Sequence, residues 1–269
     1  MTIFEAISLG LIQGLTEFLP VSSTGHLVFL HSLFGINGSS ALAFDAVLHL
    51  ATAGAVIVYF WSDVVMLLNT ARRKVSRLPV NDRDYKILLA LLIGTVPAVI
   101  LGLFLEDIMA TLFRSPLLVA VVLIAGSVLF AFAEWRYLHS PRERNVTIRT
   151  GLIVGLFQCL ALVPGMSRSG ATISGGMLLG LSREESARFA FLLAIPIILG
   201  AGSLKLLEMI TSSEAVVWNV VITGAVVAFI SGLFAIHFML SFVRRHSLWP
   251  FIWYRVILAT VVIALVAIS

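Results

Sequence analysis

The sequence predicts an all-α polytopic membrane protein, an inverted-topology repeat of six spanning helices plus two re-entrant helical hairpins. It forms one integral domain over 1–269, with internal repeats 1–140 and 141–269. Three observations carry this. Of the 269 residues, 59% are hydrophobic and 12% charged, with a mean hydropathy of +1.05, where a soluble domain carries about a quarter charged residues. Six stretches are apolar over about 20 residues, the length a spanning helix needs. Two others, 3–34 and 150–181, are each two short apolar runs broken by proline, glycine and hydroxyl residues.

The elements follow in order. In 3–34, Pro20 stops a helix, and Ser22, Ser23 and Thr24 are N-cap residues for the next. Spans follow at roughly 42–62, 86–106 and 116–136. In 150–181, Pro164 and Gly165 stop a helix and Ser167 to Thr172 start another. Spans at roughly 187–209, 216–243 and 249–268 complete the chain. The N-terminal "MTIFEAISLG" has Glu5 in place of a basic signal-peptide region, so no cleavage is expected. Cys159 is the only cysteine, which excludes an intrachain disulfide and a cysteine-built metal site. The net charge of +4 predicts no nucleic-acid binding, because in a membrane protein the placement of Lys and Arg matters more than their sum.

That placement orients the spans. Arg72, Arg73, Lys74, Arg77, Arg83 and Lys86 cluster in one loop, and Arg136, Arg142, Arg144 and Arg149 mark another. Arg183 with Arg188, and Arg244 with Arg245, mark two more, while the remaining connections contain only Arg114. Positive loops stay cytoplasmic. Only 150–181 lies between two positive loops, so it enters the membrane and returns on one side. The first hairpin then enters from the outside.

The broken stretches resemble each other. "GLIQGLTEFL" begins at Gly10 and "GLIVGLFQCL" at Gly151, which sets Glu17 against Gln158. After a small shift, "SSTG" at 22–25 parallels "SRSG" at 167–170. A hairpin followed by three spans inverts the second half relative to the first, and such repeats build intramembrane sites from broken helices. The GxxxG glycines read as close helix packing.

Non-helical backbone at depth survives only where protein or a wet cavity satisfies it. Both breaks present a helix N-terminus, which suits an anion, and Arg168 adds a guanidinium that suits phosphate oxygens. Glu17 and His26 face that positive site, and Gln13 shares a helix face with Glu17. A charge at bilayer depth costs roughly 2.5–3.5 kcal/mol on insertion scales, so Glu17 and Arg168 are not idle. A structural ion pair between them is the plain alternative, and it can coexist with function. Asp45 and His49 share a face of the next span and are secondary cavity candidates. His31, His237 and Arg255 read as packing or interfacial residues. The residues together predict an intramembrane pocket for a phosphate-like anion, with hydroxyls or imidazole as nucleophile or acid/base.

At "QGLTEFLPVSSTGH" (13–26) and "PGMSRSGATI" (164–173) the chain resembles the bacitracin-resistance type of undecaprenyl-diphosphatase over essentially its whole length. The resemblance implies hydrolysis of undecaprenyl diphosphate to undecaprenyl phosphate and inorganic phosphate in the bacterial inner membrane. That recycles the lipid carrier for peptidoglycan synthesis, confers bacitracin resistance and places the site toward the periplasm. It implies Glu17, Ser23, His26 and Arg168 as catalytic residues. Gln13, Ser22, Thr24, Gly25, Ser167, Ser169, Gly170 and Thr172 would contact substrate. A divalent cation, Mg²⁺ or Ca²⁺, is implied, with Glu17 as a ligand, and a homodimer is compatible. The first acidic position of the family pattern is Gln13 here, one carboxylate fewer. Ser23, His26 and an activated water stay open as the nucleophile. The rival readings are a carrier that flips undecaprenyl phosphate, and the phosphatidic-acid-phosphatase class, whose lysine/arginine and histidine–aspartate motifs are absent.

Overall fold

The computed structural model describes residues 1–36, 39–111, 115–139, 145–211 and 217–268. Arg114, Arg142 and Arg144, three of the topology residues, lie outside the described residues. Eleven helices and no strand occur among the described residues. The first hairpin is α1 (Ile3–Phe18) and α2 (Ser23–Phe34). It is followed by α3 (Ser39–Tyr59), α4 (Trp61–Val75), α5 (Asp82–Thr111) and α6 (Pro116–Leu138). The second hairpin is α7 (Ile148–Leu160) and α8 (Arg168–Leu178), followed by α9 (Arg183–Thr211), α10 (Trp218–Val243) and α11 (Trp249–Ile268).

Helices α3, α5, α6, α9, α10 and α11 contain the six segments long and apolar enough to cross a membrane. The hairpin arms have 16, 12, 13 and 11 residues. At 1.5 Å per residue they reach roughly 16–24 Å, short of a hydrocarbon core of about 30 Å. Each arm must therefore stop at its break. Capping boxes start the leading arms, Thr2 with Glu5 on α1 and Thr147 with Thr150 on α7.

Arg72, Arg73 and Lys74, expected in a loop, stand instead on the last turn of α4. Its charges made it too polar for a span, yet they favour a helix. Asp63 sits in the first turn and the three cations in the last, each complementing the helix dipole.

Large apolar side chains such as Val58, Val96, Phe104, Val128, Phe234 and Ile257 are exposed. They form the surface that a bilayer would cover. Inside, α1 packs along α10 and α7 along α5, while α3 lies against α9 and α10, and α6 against α11 and α8. The GxxxG glycines allow the two tightest approaches. A Cβ on Gly10 or Gly14 would strike the α10 backbone at Gly224 or Ala228, and one on Gly151 or Gly155 would strike the α5 backbone at Ala90 or Gly94. A buried pair ties α6 to α9: Arg183 binds both oxygens of Glu134, which is 0% exposed and also accepts from Leu248 N at 3.2 Å.

Candidate functional site

The two breaks are built alike. In the first, α1 ends at Phe18, and Leu19 is extended ahead of Pro20, which disfavours helical geometry in its predecessor. Ser22 then turns to φ 74 and caps α2, its Oγ accepting from Gly25 N at 3.3 Å. In the second, Gly165 takes φ 99, Ser167 turns to φ 73, and its Oγ accepts from Gly170 N at 3.2 Å. A non-glycine residue in that region costs about 1–3 kcal/mol and persists where the surroundings hold it. The first amides of α2 and α8 have no acceptor within their own helices.

Arg255 of α11 holds the breaks together. It is 0% exposed, and its guanidinium donates to Gly165 O and Leu123 O, each at 3.0 Å, and to Ser127 Oγ at 3.2 Å. It reaches Pro20 O at 3.5 Å and lies 4.6 Å over the Phe130 ring. Gly126 leaves the space for it, since a Cβ there would strike Nη2.

Between the breaks lies a cavity of about 290 Å³. Glu17, Ser22, Ser23 and Thr24 line it from the first hairpin, and Gln158, Pro164, Gly165, Ser167 and Arg168 from the second. His49 of α3 and Lys205 of α9 complete its polar wall, and Ala46, Ala98, Ile197 and Ile198 supply apolar surface.

Glu17 is the hub, 5% exposed. Arg168 Nη2 donates to its Oε1. Its Oε2 accepts from Ser23 Oγ at 2.6 Å and Gln13 Nε2 at 2.9 Å. His49 Nδ1 stands 3.3 Å from the same oxygen and 2.8 Å from Gln13 Nε2. The Glu17–Arg168 pair expected as the plain alternative therefore exists, and it stands in the wall of the cavity. A serine hydroxyl donating to a buried carboxylate, beside a guanidinium, is an arrangement for nucleophilic attack on an anionic phosphorus centre.

Glu17, Ser22, Ser23, Thr24, Ser167 and Arg168 thus line the cavity as sequence reasoning expects. The other predicted site residues lie behind that wall. Gln13, 0% exposed, backs Glu17. His26 Nδ1 bonds Ser22 O at 2.8 Å and its Nε2 bonds Tyr254 OH at 2.7 Å, the two rings stacked. Ser169 Oγ donates to Leu19 O at 3.1 Å, joining the hairpins. Thr172 Oγ1 donates to Arg168 O at 2.7 Å. Gly25 and Gly170 are packing positions: a Cβ would press on Val119 in one case and strike the Phe130 ring in the other. Of the secondary candidates, His49 reaches the cavity, whereas Asp45 sits 3.3 Å from His31 Nε2 at ion-pair range but without hydrogen-bond alignment.

Among the described residues no three His, Cys, Asp or Glu side chains gather to hold a metal. The donor set does fit a hard cation that enters with phosphate. Mg²⁺ takes one or two carboxylates and completes its shell with water and substrate oxygens. Glu17 is the carboxylate of the wall, and Gln13 Oε1 beside it is buried without a partner.

Comparisons with known proteins identify the family. The family model described as bacitracin resistance protein BacA matches residues 6–261. An undecaprenyl-diphosphatase of Trichlorobacter lovleyi is 41% identical over 274 residues, covering 100% of this chain and 99% of that one. One of Renibacterium salmoninarum is 39% identical over 266 residues, covering 97% and 95%. One of Mycobacterium ulcerans is 40% identical over 270 residues, covering 99% and 98%. With a match across nearly its whole length, the chain belongs to the bacitracin resistance protein BacA family.

Proposed function

We propose that this chain hydrolyses undecaprenyl diphosphate to undecaprenyl phosphate and inorganic phosphate in the cavity between its two hairpins. The reaction recycles the lipid carrier for peptidoglycan synthesis and depletes the diphosphate that bacitracin sequesters. The single observation that carries the assignment is the buried Ser23–Glu17–Arg168 array in the cavity wall.

The diphosphate enters from the apolar side with its lipid tail against the spans. Arg168 and the first amides of α2 and α8 draw in its oxygens. As Arg168 turns to phosphate, Glu17 loses its counter-ion just when it must take a proton. Ser23 Oγ attacks the terminal phosphorus, its proton passes to Glu17, and the anhydride bond breaks to release undecaprenyl phosphate. Water then attacks the phosphoserine and the Ser23 Oγ–P bond breaks; Ser23 recovers its proton from Glu17, and both protons of the water leave with the inorganic phosphate as dihydrogen phosphate. Ser23 is preferred to His26 as nucleophile because it lines the cavity, whereas both nitrogens of His26 are engaged behind it. A bound Mg²⁺ or Ca²⁺, held by Glu17, would neutralise charge on the departing phosphate.

The membrane is the bacterial cytoplasmic membrane and the cavity opens toward the periplasm. The cations ending α4, with Arg136, Arg183, Arg244 and Arg245, support this as cytoplasmic markers. The halves 1–140 and 141–269 are read as an inverted repeat. Ser22 and Ser167 share one unusual backbone geometry, and α1 on α10 mirrors α7 on α5.

The test is phosphate release from undecaprenyl diphosphate by the purified protein in detergent, beside Arg168→Ala. Release by the parent and a fall of about 10²–10³-fold in a well-folded variant are expected, the scale of losing one charge-stabilising donor. Movement of lipid phosphate across proteoliposomes without phosphate release would overturn the hydrolase.

A further inference from the structure

We infer that Gln158 is a phosphate-binding residue of this cavity, contributing amide N–H donors to the substrate's diphosphate from the second hairpin. The inference rests on the hydrolase reading and deepens it. Gln158 is 2% exposed, yet neither Nε2 nor Oε1 has a hydrogen-bond partner among the described residues. Buried side-chain polar groups are nearly always satisfied, and one that is not calls for a reason such as a missing ligand. Here the reason lies beside it, since Gln158 lines the same cavity as Glu17, Ser23 and Arg168.

Its place in the fold supports the assignment. Gln158 stands on the last turn of α7, as Glu17 does on α1, so the two face the cavity from opposite arms. The residue types differ in a way that suits an anion. Arg168 and Lys205 are the strong cations of the wall, and Glu17 is its carboxylate. A second carboxylate in place of Gln158 would set like charge against the diphosphate, whereas a neutral amide offers two N–H donors. Oε1, which an anionic oxygen would repel, suits a protonated phosphate oxygen or the attacking water. No other cavity-lining side chain is left with both polar atoms unpartnered among the described residues.

The experiment compares Gln158→Leu and Gln158→Glu with the parent in steady-state phosphate release from undecaprenyl diphosphate. Inorganic pyrophosphate serves as a competing probe, and the thermal midpoint is recorded for each protein. Gln158→Leu is expected to raise KM about 10–100-fold, the range of one hydrogen bond to a charged group, with kcat within about threefold. It should weaken pyrophosphate inhibition in parallel and leave the midpoint unlowered, because no formed bond is lost. Gln158→Glu is expected to raise KM further. A lowered midpoint with KM and pyrophosphate inhibition unmoved would make Gln158 a structural residue and overturn the inference. So would a folded Leu variant indistinguishable from the parent. If the parent itself releases no phosphate, the hydrolase reading fails, and equilibrium binding of pyrophosphate to parent and Leu variant still decides whether Gln158 holds the anion.

Discussion

Arg255 carries a fully buried positive charge with no carboxylate against it among the described residues, and it ties the two hairpin breaks through backbone oxygens. Two substitutions separate its charge from its bonding. Arg255→Met removes both. It forfeits the bonds to Gly165, Leu123 and Ser127, each worth roughly 1.5–3 kcal/mol for a charged donor. It also removes a buried charge, whose effective desolvation penalty is several kcal/mol. The terms nearly cancel, so the thermal midpoint should move by only a few degrees, at roughly 2–4 °C per kcal/mol for a chain of this size.

Arg255→Lys keeps the penalty and loses the fork. An ammonium is a point donor that cannot serve both Gly165 O and Ser127 Oγ from one position. The loss of one or two bonds without compensation is about 1.5–6 kcal/mol, or roughly 3–24 °C. The conservative change is therefore expected to be the more destabilising one. Both variants should lose activity, by about 10²-fold if the breaks drift by roughly 1 Å. Tryptophan-fluorescence melting in detergent, run beside phosphate release, reads both quantities. A Lys variant that melts with the parent and turns over fully would refute the idea that Arg255 positions the breaks. So would a Met variant that falls far below Lys.

Two further outcomes follow from packing away from the catalytic array. Gly155→Ala forces α7 off the α5 backbone at Gly94 and should cost about 1–3 kcal/mol, whereas Gly200→Ala, with nothing within 4 Å of its new Cβ, should leave the melting point unchanged or slightly raised. Glu134→Gln leaves Arg183 facing a neutral amide at a buried site. It should lower stability by about 3–5 kcal/mol while kcat, measured well below the melting point, stays near the parent's.

The spans were legible because a run of about 20 apolar residues has few uses other than a bilayer. The breaks were legible because Pro20, Pro164 and Gly165 interrupt apolar runs too short to cross. Glu17 and Arg168 were legible as partners because neither tolerates hydrocarbon alone. What was not legible was which polar residue of a break faces inward. Ser167 and Ser169 look interchangeable in "SRSG", yet the first lines the cavity and the second donates to Leu19 O. That choice is made by the φ of the cap and by Phe130 filling the space beside Gly170, and neither is written locally. His49, Gln158 and Arg255 come from outside the motifs: His49 reads from the sequence as a secondary cavity candidate beside Asp45, whereas Gln158 and Arg255 are brought in by tertiary packing. Signals for two of them were nonetheless present. Gln158 falls opposite Glu17 when "GLIVGLFQCL" is set against "GLIQGLTEFL". Arg255 is a lone charge within an apolar span, the same insertion cost that singled out Glu17 and Arg168. A break at membrane depth frees carbonyls that lipid cannot satisfy, and an arginine in an apolar helix without a nearby acid needs acceptors that are not carboxylates. Each is the answer to the other. Two breaks and one unpaired arginine in one sequence together imply a guanidinium bridging them, as Arg255 does at Pro20 and Gly165.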